Sequence, residues 1–157
     1  MQTKKIVVCG GGGFIGGHLI ADLLRQGHRD LRAVDIKPFD EWYQVFPNVE
    51  NLQLDLQDKA ACEQALRGAA LVYNLAADMG GMGFIENNRA LCMLSVLINT
   101  HLLMAAKTHG VRRFFYASSA CVYAADKQTD PKVTALKESD AYPAQPEDGL
   151  RLGKAFQ

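Results

Sequence analysis

Residues 10 to 16 read Gly-Gly-Gly-Gly-Phe-Ile-Gly, and Gly10, Gly13 and Gly16 keep the spacing G-x-x-G-x-x-G. They follow the apolar run Ile6-Val7-Val8-Cys9 and open onto a helical pattern. A strand, a glycine loop and a helix in that order let backbone approach a pyrophosphate and aim the positive end of the helix at it. Phe14 and Ile15 belong to that same phosphate-facing turn. A glycine pattern alone also describes a flexible loop, so the flanks and a suitably spaced acid must decide. Asp35 is that acid, 19 residues after Gly16 at the end of the next apolar run. A carboxylate there accepts the ribose hydroxyls of an adenosine and repels a 2′-phosphate, which favours NAD over NADP. Lys37 weakens that preference, and a plain solvated strand-end acid is the alternative reading.

Two further places could face a dinucleotide. Asp55 and Leu56 end a third short apolar run, where an acid faces an adenine or simply caps the following helix. Leu75, Ala76 and Ala77 follow Asn74 at the end of a fourth run, and small residues there leave room for a cofactor at the carboxyl edge of a sheet. Asn99 falls inside a long helical pattern. It is either a buried amide that fixes the site's loops or a surface residue.

These residues must be positioned by alternating strands and helices. Strands are expected at 5–9, 31–36, 52–54, 70–75 and 113–117. Helices are expected at 14–26, from Asp58 to about Arg67, and over roughly 85–109. Gly27, Gly68 and Gly110 stand where those helices must stop. The alternation predicts an α/β fold, a doubly wound parallel sheet of the Rossmann-like type, with right-handed crossovers. From 118 to 148 the chain reads as loop, and a loop that long inside a compact domain is usually functional. A last helical pattern begins near Gly149.

Composition narrows the classes. At 157 residues and 48% hydrophobic content, one domain with a real core is expected. Lys plus Arg and Asp plus Glu number 17 each, so no basic excess points to nucleic acid. No apolar stretch approaches the roughly 20 residues that cross a bilayer. Cys9, Cys62, Cys92 and Cys121 form no Cys-x-x-Cys pair and have no histidine at zinc spacing, so no metal site is expected. A reduced, cytoplasmic setting is the default for such cysteines.

The segment Arg112-Arg113-Phe114-Phe115-Tyr116-Ala117-Ser118-Ser119-Ala120-Cys121-Val122-Tyr123 resembles the fifth strand and serine loop of the extended short-chain dehydrogenase/reductase superfamily. Two other segments narrow the resemblance: Asn74-Leu75-Ala76-Ala77-Asp78-Met79-Gly80-Gly81-Met82-Gly83-Phe84-Ile85 and Lys137-Glu138-Ser139-Asp140-Ala141. With them the chain is similar to the GDP-mannose 3,5-epimerase family from Ile6 onward. That resemblance implies an NAD-dependent epimerase, in which C4 of a hexose is transiently oxidised and protons are exchanged at C3 and C5. It implies that Cys121 is one of the proton-exchanging pair, that Ser119 hydrogen-bonds the reacting oxygen, and that Gly80, Gly81, Met82 and Gly83 lie against the sugar nucleotide. A small packing cysteine and a flexible turn are the alternative readings of Cys121 and of the glycine segment. The resemblance also implies a homo-oligomer built partly on the 85–109 helix.

Two departures separate cofactor binding from turnover. The superfamily carries Tyr-x-x-x-Lys at the start of the next helix, where the lysine lowers the tyrosine pKa and holds the nicotinamide ribose. Lys154 occupies the lysine position, and Leu150 stands where the tyrosine belongs. Leucine has no proton to exchange, and losing a general base costs roughly 10²–10⁴-fold. Tyr123 and Tyr142 lack the i, i+4 relation to Lys154. The second departure is extent. The partner lysine, the later strands and the substrate domain would fall beyond Gln157, so residues 1–157 are expected to form an incomplete NAD-binding domain after about five strands. The expectation is an NAD-binding domain of a sugar-nucleotide epimerase, impaired in catalysis, with a GDP-sugar as its further ligand. The alternatives are a non-catalytic nucleotide-binding or interaction module, or a subunit completed by another chain.

Overall fold

A computed structural model describes residues 5–77, 94–118, 123 and 135–141. Five strands form one sheet: β1 Lys5–Cys9, β2 Leu31–Asp35, β3 Glu50–Gln53, β4 Ala69–Asn74 and β5 Arg113–Tyr116. Their order is β3-β2-β1-β4-β5, and every pairing is parallel. The helices are α1 Phe14–Arg25, α2 Lys59–Leu66 and α3 Leu94–Thr108. The chain divides into two compact units, Met1–Ala77 with Leu97–Ala117, and Asp78–Val96 with Ser118–Gln157. The sheet, α1 and α2 lie in the first unit, with α3 from Leu97 onward. In the second, the described residues include a 3₁₀ turn at Glu138–Ala141, where Asp140 takes the Lys137 N–H at 2.9 Å.

The apolar runs behave as a doubly covered sheet requires. Val7 and Cys9 of β1 join a core with Cys62, Leu66, Leu102 and Ala105 beneath α2 and α3. Their neighbours Ile6 and Val8 turn to the other face and pack with Ile20 and Leu23 of α1. One strand therefore feeds both cores, the period of two doing the sorting. Both thiols are inside: Cys9 and Cys62 are fully buried and unbridged. Burial, reinforced by the charges of Asp58, Glu63 and Asp55, pushes the Cys62 thiol up to about 12. Burial likewise raises Cys9.

Helix ends fall where the sequence places them. Asp58 caps α2 by accepting the Ala60 N–H at 3.0 Å. The glycines at 27, 68 and 110 all take positive φ just beyond their helices. Strand β3 moved most, at 50–53 rather than the expected 52–54, while β4 sits one residue earlier than expected, at 69–74 rather than 70–75. Among the described strands β3 pairs with β2 alone. The pairing of Arg32 with Glu50 through Asp35 with Gln53 sets its bounds, not its own apolar residues. The described part of the long helix starts at Leu94, and residues 85–93 lie outside the described residues. Among the described residues no helix is long and apolar enough to cross a membrane.

At the amino end of β2 a buried cation organises the sheet edge. Arg32 is 7% exposed. Its Nη1 donates to the carbonyls of Ala65 at 2.7 Å and Arg67 at 3.0 Å, which closes the C-terminus of α2. Its Nη2 stands 3.0 Å from both carboxylate oxygens of Glu50. Lys5 reaches the same carboxylate at 2.9 Å and Asp30 at 2.8 Å. Burial acts to raise the Glu50 pKa, but the hydrogen bonds and charges of Arg32 and Lys5 outweigh it and hold the group below the usual value of 4.5. A carboxylate with a lowered folded-state pKa contributes stability above its unfolded pKa and loses it as pH falls through the folded one. Glu50→Gln is therefore expected to lower stability by about 1 kcal/mol at neutral pH, a charged hydrogen bond discounted for its partial exposure. In urea melts at several pH values, the gap between wild type and variant should close below pH 4.5. A gap that persists unchanged at pH 3 would contradict this assignment.

Candidate functional site at the carboxyl edge of the sheet

The loop between β1 and α1 is shaped by contacts that tolerate no side chain. Gly10 has φ +78°, and a Cβ there would stand 2.9 Å from the Ala76 nitrogen. A Cβ on Gly16 would run into the Gly10 carbonyl oxygen. The chain thus turns sharply out of β1, and the first turn of α1 lies directly on that bend. Gly10 and Gly11 both donate to the Val34 carbonyl, at 2.8 and 3.0 Å, which ties the bend to β2. Gly13 sits at the N-cap of α1 with no side-chain capping bond, and the first turn holds no acid. The leading N–H groups of a helix lack intrahelical partners. This end therefore presents uncapped donors and a positive dipole, the arrangement that accepts a phosphate. Phe14 and Ile15 occupy that turn with side chains 62% and 69% exposed.

Asp35 closes β2 beside the loop and is 9% exposed. Its Oδ2 accepts the Gly12 N–H at 3.0 Å and its Oδ1 accepts the Lys37 N–H at 3.2 Å. It is thus a near-buried, doubly bonded acid rather than the solvated one of the alternative reading. Each carboxylate oxygen still has room for a second donor, enough for two ribose hydroxyls. Asp55 is exposed and bonds within its own turn, taking the Gln57 N–H at 2.9 Å. Leu56 is 4% exposed and belongs to the core under α2 and α3, so any ligand contact there falls to its backbone.

On the other side of β1, Leu75 donates to the Cys9 carbonyl at 3.0 Å. This sets Leu75 and Ala76 against the Gly10 bend. Asn99 is the buried amide of the two readings, at 4% exposure. It accepts the Asn74 side-chain N–H at 3.1 Å, and Asn74 in turn accepts the Ala76 N–H at 3.2 Å. The relay from α3 to the strand end fixes the backbone at Ala76. Ala77 follows it, exposed. The structure therefore brings together Gly10, Gly13, Gly16, Asp35, Leu75 and Ala76 at one edge of the sheet. Ser119, Cys121, Leu150 and Lys154, and the segment Gly80, Gly81, Met82 and Gly83, lie outside the described residues.

Sequence reasoning passed over Gly12 and Trp42, which contact the same loop. The signal was faint: a lone tryptophan among other aromatic residues, Phe39, Tyr43 and Phe46, in the connection between two strands. Asn74 was seen only as a strand end, because its link to Asn99 spans 25 residues.

Comparison with known proteins agrees with this geometry. The model of the NAD dependent epimerase/dehydratase family matches residues 6–146. GDP-mannose 3,5-epimerase of Arabidopsis thaliana is 41% identical over 98% of this chain, and GDP-mannose 3,5-epimerase 1 of Oryza sativa subsp. japonica is 43% identical over the same share. The chain spans 41% and 40% of their lengths. Among solved structures, Thermus thermophilus UDP-glucose 4-epimerase in complex with NAD superposes with a TM-score of 0.80 at 26% identity, over 97% of this chain and 48% of that one. A short-chain dehydrogenase/reductase superfamily protein from Agrobacterium tumefaciens with bound NAD gives 0.72 at 29% identity, over 96% of this chain and 42% of that one. A five-stranded parallel sheet, an uncapped helix at its glycine loop and a match over nearly the whole chain lead to one conclusion: this chain belongs to the NAD dependent epimerase/dehydratase family.

Proposed function

We propose that the chain binds NAD across the carboxyl edge of its sheet, as the dinucleotide-binding part of a sugar-nucleotide epimerase of the GDP-mannose type. The observation that carries this reading is the uncapped start of α1 set beside the doubly bonded Asp35 carboxylate. The donors of the Gly13–Gly16 turn suit the pyrophosphate, and the spare lone pairs of Asp35 suit the adenosine ribose. The small residues Ala76 and Ala77 leave space where the nicotinamide half would lie, and Leu75, Asp55 and Leu56 border the cofactor. When bound, NAD supplies reversible oxidation of a sugar hydroxyl. In this reading Lys154 holds the nicotinamide ribose, Ser119 bonds the reacting oxygen, and Cys121 exchanges a proton at a ring carbon acidified by the ketone. Gly80, Gly81 and Met82 lie against a GDP-sugar. Curated relatives that bear this name support the sugar nucleotide.

Leu150 favours a second reading, in which the chain keeps the cofactor but not the turnover. An aliphatic side chain has no basic atom to accept the proton that leaves the sugar hydroxyl. The chain then acts as a nucleotide-binding or interaction module, or as a subunit whose chemistry another chain completes. Self-association fits either reading. α3 leaves Leu97, Leu103 and Met104 39–47% exposed along one arc, an apolar stripe that pairing would cover. A cytoplasmic location suits a nucleotide cofactor and two unbridged thiols.

Calorimetric titration is expected to detect NAD binding, and Gly16→Ala should weaken it at least about tenfold by displacing the first turn of α1. Absence of heat at millimolar NAD would sink the proposal. On the second reading, incubation of the chain with NAD and GDP-mannose yields no epimerised sugar, and any such product would exclude it. Sedimentation should find a dimer or larger assembly that Met104→Glu weakens. A pure monomer at high concentration would refute the association.

A further inference from the structure

We propose that Trp42 is a positioning residue of the dinucleotide site: it straps the segment after β2 to the glycine loop and thereby aims the Asp35 carboxylate. The inference rests on the NAD reading and adds a residue to it. Both donors that fix Asp35 are themselves held by Trp42 or its neighbour. The indole Nε1–H donates to the Lys37 carbonyl at 2.9 Å, and Lys37 donates to Asp35 Oδ1. The indole ring lies on Gly12 so closely that a Cβ there would meet it at 2.7 Å, and Gly12 donates to Asp35 Oδ2. The adjoining Tyr43 N–H donates to the Gly12 carbonyl at 2.9 Å and completes the circuit.

The strap is anchored rather than loosely laid. Trp42 is 7% exposed and packs in the core with Ile6, Val8 and Ala33, while Phe39 meets its ring edge-on at 5.2 Å. A carboxylate on a single strand end would sample several rotamers. Fixed from both sides, it stands in one orientation with one free acceptor direction on each oxygen. Two hydroxyls of an adenosine ribose match that arrangement, whereas a 2′-phosphate meets an oriented negative charge. Loss of the strap should therefore weaken NAD and spare the poorer NADP, which makes Trp42 a determinant of selectivity.

Trp42 is the single tryptophan of the chain, so its indole gives one resonance in a ¹⁵N spectrum of the whole protein. On titration with NAD that resonance is expected to shift and saturate. Trp42→Phe keeps an aromatic ring and loses the N–H. It should bind NAD about tenfold more weakly, the scale of one hydrogen bond, with NADP affinity unchanged and the melting temperature within a few degrees of wild type. An indole resonance unmoved at saturating NAD overturns the proposal, and this measurement needs no variant to fold. Equal weakening toward both dinucleotides, or none toward either, overturns it as well. A wild-type chain that binds neither dinucleotide would instead bring down the NAD reading itself, and the strap with it. Wild type binding NAD alongside an unaffected Trp42→Phe would remove only the strap.

Discussion

The architecture turns on a backbone crossing with no space in it. The bend at Gly10 touches Ala76 on one side, and Gly16 rides over the Gly10 carbonyl on the other. Three elements, the end of β1, the end of β4 and the start of α1, meet there at main-chain distance. Everything that a ligand would use at this edge is placed relative to that crossing: the uncapped helix start, the acid of β2 and the small residues after β4. Packing energy could be recovered elsewhere in the core after a substitution, but a clash of backbone with backbone has nowhere to relax.

The two edges of the sheet do different work. At the amino edge, Arg32 satisfies the carbonyl end of α2 and two carboxylate oxygens, and Lys5 adds a second cation. Apart from the buried Arg32 Nε, these donors and acceptors are already matched to one another, which suits a structural role. At the carboxyl edge, donors are left uncapped and the buried acid retains acceptor capacity. The contrast explains why one β2 strand carries a buried arginine at its beginning and a near-buried aspartate at its end without either disturbing the other.

Much of this was legible in the sequence because local rules govern it. The strand in the apolar run Ile6–Cys9, the cap at Asp58 and the stops at Gly27, Gly68 and Gly110 depend on neighbours within a few residues, and each stands as expected. Asp35 could be placed by spacing, though its two hydrogen bonds could not. What escaped depends on partners far away. β3 takes its bounds from β2. Asn74 finds Asn99 on a helix beyond the next loop. Trp42 looks like a loop residue until the glycine it covers is known. Each miss is a tertiary contact overriding a weak local pattern.

Cys9 and Cys62 lie at the centre of the first core, fully buried, with their thiols pushed toward the neutral form. A thiol reacts as thiolate, so both are chemically silent while the sheet and α2 stay closed. An alkylating reagent in dilute buffer would find them only during excursions that part α2 from the strands beneath it. The two sulfurs thus form an internal clock for the opening of this core, wound by the same burial that holds it shut.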